Sequence, residues 1–228
     1  MGIRCYKTSG VHIAVADHAD FQSQNWAFRS CIRARAQPAA GVTFAIGDKG
    51  GLDATASATF YTAYYESAGL YYLRGGFWNA ATAAAQVLDV AYTLDLGRWY
   101  DVAWTYDNTS KAIFAYLARR SKFRDIASPT TYTQIGTTTF AGKNPTANNG
   151  YPIRIGAEKN VTGDVQNPAN MDITEVCYYS TAIAKATLEA DIPTRRSVAG
   201  ASTLKLYLRC DDGVGGRGGT TVYDRSGK

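Results

Sequence analysis

Short runs of wholly apolar or alternating residues, punctuated by Gly, Asn and Asp, recur from one end of the chain to the other. The strongest lie at 11–15, 26–34, 42–46, 58–65, 69–73, 100–106, 112–117, 153–155, 173–179 and 204–208. Their length and period of two predict about ten β-strands. Two hairpins are legible: Glu66-Ser67-Ala68-Gly69 joins two Tyr-rich runs, and Asp107-Asn108-Thr109-Ser110 joins the runs at 100–106 and 112–117. Both use residues that tolerate turn geometry.

Helix signals are few. Thr181 reads as the cap of a short helix over 182–191, with Pro193 as its stop, and 80–86 is Ala-rich but short. No repeat of 20 to 50 residues is visible, which argues against a propeller or solenoid. The pattern predicts an all-β, two-sheet antiparallel β-sandwich filling 1–228 as a single domain, with a Gly-rich C-terminal segment from about 200. The stretch Asp212 to Gly219 lacks the Lys-Ser/Thr and flanking strand and helix of a phosphate loop.

Three segments carry a family likeness. Gly97-Arg98-Trp99-Tyr100-Asp101-Val102-Ala103-Trp104-Thr105-Tyr106-Asp107 closely resembles the central strand and turn of concanavalin A-like, laminin-G-like domains. The segment 20–33, with Trp26, Phe28, Ile32 and Arg33, is similar to their early strand. The run 171–179, followed by Ile183 and Leu188, resembles their strand leading into a short helical turn. The resemblance implies a concanavalin A-like jelly roll over residues 9 to 192, with a departure at 116–123, where a basic extension replaces a tight turn. Trp99 and Trp104 are large enough to bridge sheets about 10 Å apart. Val102 and Trp104 share one strand face, and Ala103 and Thr105 the other.

Composition sharpens this picture. Hydrophobic residues make up 46% of the 228 residues, sufficient for a core without disulfides or metal. Sixteen Tyr against four Trp favour pleated surfaces and leave amphipathic rings for interfaces and sugars. Cys5, Cys31, Cys177 and Cys210 lack C-x-x-C spacing, and the first three sit in strand-like runs, so reduced thiols are expected. With neither a leader-like start nor an apolar run of 18, the chain reads as unsecreted and without a membrane span, and its sequons at Asn108 and Asn160 carry little weight. The net charge of +5 is concentrated in 119–154, which holds six cationic residues against one acidic. That is too little, without a nucleic-acid-binding fold, to predict nucleic acid as a partner.

Catalysis is not expected. Glycan-cleaving sandwiches need closely spaced carboxylates, and Glu66, Glu158, Glu175 and Glu189 form no such run; by parity Asp172 and Glu175 point to opposite faces. Neither His12 nor His18 adjoins a nucleophile motif. Metal candidates are Asp17-His18-Ala19-Asp20, and Asp211, Asp212 and Asp224 for Ca²⁺, but ordinary solvated turn residues are the stronger reading and no cofactor is expected. Binding therefore falls to loops. The candidates are Arg74, Phe77 and Trp78 in a loop at 74–79; Arg119, Arg120, Lys122 and Arg124 at a basic tip; and Asn148, Asn149 and Tyr151 in an Asn-rich loop. The expected role is a multicopy structural or adhesive virion component, a phage capsid decoration or tail-associated protein, docked on other virion proteins. The alternative is an extracellular carbohydrate-binding module on a glycan surface.

Overall fold

The computed structural model describes residues 3–5, 12–50, 58–120, 131–146, 150–159, 165–194 and 203–208. The described strands are β1 (Ile3–Cys5), β2 (Ile13–Val15), β3 (Trp26–Ala34), β4 (Thr43–Lys49), β5 (Phe60–Ser67), β6 (Leu70–Asn79), β7 (Ala84–Ala91) and β8 (Tyr100–Asp107). They continue as β9 (Ala112–Arg119), β10 (Thr133–Thr139), β11 (Ile153–Ile155), β12 (Glu158–Lys159), β13 (Val165–Gln166), β14 (Met171–Tyr179) and β15 (Leu204–Leu208), with one helix, α1 (Lys185–Thr194). A seven-stranded sheet runs β1-β14-β3-β8-β9-β10 with β15 also on β14, and a six-stranded sheet runs β2-β11-β4-β5-β6-β7. The short β12-β13 ribbon stands apart from both. Every pairing in the two large sheets is antiparallel. The expected two-sheet β-sandwich is what forms.

Alternation places the core. Tyr100, Val102, Trp104 and Tyr106 of β8 face the other sheet, and Ala103 faces outward into a second cluster. Trp26, Phe28 and Tyr178 from one sheet meet Phe60 from the other, with Phe28 and Phe60 stacked 5.1 Å apart and Phe60 and Tyr178 5.3 Å apart. Trp104 crosses the sandwich because Gly75 on β6 has no side chain: a Cβ there would lie inside the indole's van der Waals envelope.

The β3 run 26–34 shows no polar alternation because both its faces are covered. On the outer face of the seven-stranded sheet, Ile183, Leu188 and Tyr132 pack with Leu204 and Tyr207 of β15 over Ala27, Ala103 and Cys177. No helix among the described residues is long and apolar enough to cross a membrane.

Both predicted hairpins form. Ser67 pairs with Leu70 around Ala68 (φ 53°) and Gly69 (φ 80°), the left-handed pair of a tight hairpin, and Asp107 pairs with Ala112. Five expectations are corrected.

The helix starts at Lys185, not beside Thr181, because the Ile183 N–H donates to Thr105 Oγ1 at 2.9 Å and holds that stretch against β8; the helix also runs through Pro193. The Ala-rich 80–86 is a turn and the start of β7: the Ala81 N–H donates to Asn79 Oδ1, and β7 then pairs along β6. The stretch 74–79 is not a loop but the second half of β6, its two glycines serving close approach rather than a turn.

Asp172 and Glu175 do not face opposite sides, because a bulge between Thr174 and Cys177, with Glu175 at φ 50°, resets the alternation. Trp99 is buried but lies outside the inter-sheet core; Arg33 sits 4.6 Å over its ring. Trp104 alone of the two does the bridging. Ala-rich β7 and Thr-rich β10 lack the apolar runs by which the other strands are recognised.

Candidate functional site

The outer face of the six-stranded sheet is assembled by register. Thr43, Tyr65, Tyr72 and Ala91 lie side by side across β4 to β7, and Ala45, Ala63, Arg74 and Asp89 form the next row. A third row reads Arg154, Asp48, Tyr61, Gly76 and Val87. Their strand neighbours Phe60, Tyr64, Leu73 and Phe77 point into the core, so these rows point out. Ala45 and Ala63 leave the middle row low on β4 and β5, between the Tyr65–Tyr72 row and the Tyr61 row.

Tyr65 and Tyr72 are half-buried, with rings 5.3 Å apart and 22° from parallel. Beside them the Arg74 guanidinium makes a bidentate pair with Asp89: Nε donates to Oδ1 at 2.7 Å and Nη2 to Oδ2 at 2.8 Å. Nη2 also donates to Tyr65 Oη at 3.0 Å, and the guanidinium carbon lies 4.3 Å from the Tyr65 ring centre. Arg74 is 29% exposed and Asp89 28%. Burial works against the Arg74 charge, but the bonds to Asp89 outweigh it and the group stays cationic. Burial pushes the Tyr65 phenol above its ordinary range, so the hydroxyl is neutral.

Toward β11 the face closes. Tyr61 is buried, its phenol raised by burial and then by the neighbouring Glu158 carboxylate. Asn167 Nδ2 donates to Glu158 Oε1 at 2.6 Å, and the Asn167 carbonyl accepts from the Ala45 N–H, clamping β12 and the residue after β13 over β4. Arg154, also buried, has Nε and Nη1 without hydrogen-bond partners.

A second polar cluster is buried outside the seven-stranded sheet. Arg120 donates through Nη2 to Asp101 at 2.8 Å and to Glu175 at 2.7 Å, and through Nε to Asp101 as well. Arg29 lies 3.4 Å from Asp101 and 3.7 Å from Glu175. Asp172 is bound by Arg33 and Arg35. Two cations for two carboxylates in the first group give a closed ion network. Cys31, beside it, is a free buried thiol pushed well up by burial and then by Asp101; Cys177 is buried and outside any disulfide.

The sequence-predicted contacts separate accordingly. Arg74 lies on the open face. Phe77 is wholly buried in the core and Trp78 is 9% exposed, so neither is the loop contact expected of it. Arg119 is exposed and pairs with Asp95 at 2.7 Å, whereas Arg120 is 5% exposed and an anchor rather than part of a basic tip. Tyr151 is half-buried, and its carbonyl accepts from Lys49 Nζ at 3.0 Å. Lys122, Arg124, Asn148 and Asn149 lie outside the described residues, as do Asp211, Asp212, Asp224 and the Gly-rich stretch.

In the first metal candidate, Asp17 pairs with Lys49 at 2.8 Å, Asp20 pairs with Lys205 at 3.0 Å, and His18 Nδ1 accepts from the Asp20 N–H. Glu66 accepts from the N–H groups of Gly41 and Gly69. Tyr65, Tyr72 and Asp89 escaped the sequence reading; continuing the 69–73 strand through its glycines to Asn79 would have aligned them with Arg74.

No family model matches the chain, and no curated protein matches its sequence. Solved structures do match. A protein from Bacteroides ovatus assigned as carbohydrate-binding superposes with a TM-score of 0.67 at 16% identity, covering 100% of this chain and 57% of that one. The chain is a jelly-roll sandwich. The CBM40 module of Ruminococcus gnavus IT-sialidase, bound to α2,3-sialyllactose, shares the jelly roll with a TM-score of 0.59 at 11% identity over 84% of this chain and 97% of that one. The enzymatically active domain of bacteriophage CBA120 tailspike protein 2 contains one too, with a TM-score of 0.62 at 12% identity over 92% of this chain and 30% of that one. This chain therefore spans little more than half of the first of these proteins and under a third of the third.

Proposed function

We propose that this jelly roll is a non-enzymatic carbohydrate-binding module, with its glycan laid on the outer face of the six-stranded sheet across Tyr65 and Tyr72. The observation that carries this reading is the pair of half-exposed, near-parallel Tyr rings abutting the Arg74–Asp89 pair. The Tyr72 ring, backed by Tyr65, receives the apolar C–H face of a pyranose, and the guanidinium and carboxylate fixed over Tyr65 meet its hydroxyls. The carbohydrate-binding proteins that share the fold support the same reading. So does the use of the sandwich's carboxylates: Asp101, Asp172 and Glu175 are locked to arginines and Glu66 to backbone N–H groups, leaving no spaced acid–base pair among them.

For the particle-surface role expected from the sequence, the support is the likeness to part of a phage tailspike. The glycan reading stands ahead of it because it has a constructed surface behind it. An extracellular or cell-surface setting follows from a glycan partner, and many copies would raise avidity.

A glycan array probed with the 228-residue chain tests the proposal, followed by calorimetry on the best ligand. Tyr65→Ala and Tyr72→Ala are each expected to weaken binding by about ten-fold or more, equivalent to ~1.4 kcal/mol, with unchanged melting. Undiminished binding in both variants would move the site elsewhere.

A further inference from the structure

We infer that the ligand of this face is a neutral, hydroxyl-rich sugar and that acidic glycans are rejected; this rests on the carbohydrate-binding reading above. The argument is electrostatic and geometric. Among the described residues, the face carries two cations, Arg74 and Arg154, against three carboxylates, Asp48, Asp89 and Glu158. It therefore offers no surplus positive charge to a carboxylate, sulfate or phosphate.

Among the described residues the accessible cation of this face is Arg74, and its charge is already paired: both oxygens of Asp89 hold it, 2.7 and 2.8 Å away. An anionic substituent that takes the remaining Nη1 N–H groups does so beside the Asp89 carboxylate, at the cost of like-charge repulsion, against a guanidinium whose charge is already compensated. Arg154 does not change this. It is 9% exposed, opposite Asp48 in the sheet and behind the clamp formed by Glu158 and Asn167.

A neutral sugar meets the opposite situation. With Nε and Nη2 directed to Asp89 and Tyr65, Arg74 retains the N–H groups of Nη1 as donors. Each Asp89 oxygen keeps acceptor capacity beyond the bond it takes from Arg74. Donor and acceptor are thus held side by side, partly exposed, with the guanidinium over the face of the Tyr65 ring. Two neighbouring hydroxyls of one pyranose can accept from the first and donate to the second while its C–H face packs on Tyr72, which is stacked on Tyr65. The R. gnavus module of the same fold is bound to a sialylated sugar, so the fold itself does not dictate neutrality; here the charge pairing on β6 and β7 does.

The test uses matched ligands: glycoprotein N-glycans and O-glycans immobilised before and after enzymatic desialylation, probed with the whole chain. The neutral forms are expected to bind about ten-fold or more tightly than their sialylated counterparts. Asp89→Asn, which leaves Arg74 uncompensated, is expected to shrink or invert that preference, while Arg74→Gln weakens neutral-glycan binding without creating acidic-glycan binding. Tighter binding to the sialylated forms by the unmodified chain, or a preference unaltered in Asp89→Asn, would overturn neutrality. Binding to no glycan of either class would instead remove the carbohydrate reading itself.

Discussion

Arg120 shows how far a residue's role depends on its neighbours. Within Arg119-Arg120-Ser121-Lys122 it reads as one of a run of solvated charges, yet its guanidinium is buried between Asp101 and Glu175. A buried ion pair contributes little net stability, but losing one partner strands the other's charge. Arg120→Met is therefore expected to destabilise the fold by about 3–5 kcal/mol, lowering Tm by on the order of 10 °C. Arg119→Met, which removes an exposed pair with Asp95, should cost under ~1 kcal/mol. Thermal melts of the two variants side by side decide this; equal shifts would mean that Arg120 is not held as described. No feature of the sequence distinguishes the two arginines except strand parity. Arg120 follows the last residue of β9, and its N–H donates to the Trp99 carbonyl, which turns it back onto the sheet.

At the scale of elements, β6 was legible only in its first half. Gly75 and Gly76 read as part of a loop because glycine favours irregular backbone, yet both here relieve crowding within a strand. The demand on Gly75 comes from Trp104, far away in sequence and in the opposite sheet. Gly75→Val is expected to cost about 1–3 kcal/mol or more by overpacking against the indole. Combining it with Trp104→Leu should recover part of that loss, a non-additivity that a denaturant-melt double-mutant cycle measures directly. Strictly additive costs would show that the two positions do not touch. The bulge at Glu175 teaches the same lesson in another form. One left-handed residue reverses the face of everything after it, and no parity argument from sequence anticipates a glutamate in that conformation.

Across the whole molecule, carboxyl groups tie down segments on different parts of the sandwich. Burial pushes the Asp17 carboxyl up, but its bond to Lys49 and that cation's charge outweigh this and hold it below the usual range. Asp107 is lowered by the Thr109 N–H and Ser110 hydroxyl in the β8–β9 turn, and Glu189 by Lys185 within α1 and by the Tyr132 N–H, which ties α1 to the residue before β10. Each has a lower value folded than unfolded, so each contribution is complete above the unfolded value near pH 4 and is lost as pH falls through the folded one. Melting temperature is accordingly expected to be nearly flat from pH 5 to 7 and to drop below about pH 4, with Asp17→Asn flattening part of the drop. A melt series across that range checks it.

The fold class, most strands, both hairpins, and the inward and outward faces of β8 were legible in the sequence, because alternation is a local consequence of the pleat and apolar faces must meet. The tertiary structure alone decided which charges are buried, why two glycines sit in a strand, and which three rows of the six-stranded sheet form one surface. Those depend on register between strands distant in the chain, where side chains with no relation in sequence become neighbours about 5 Å apart.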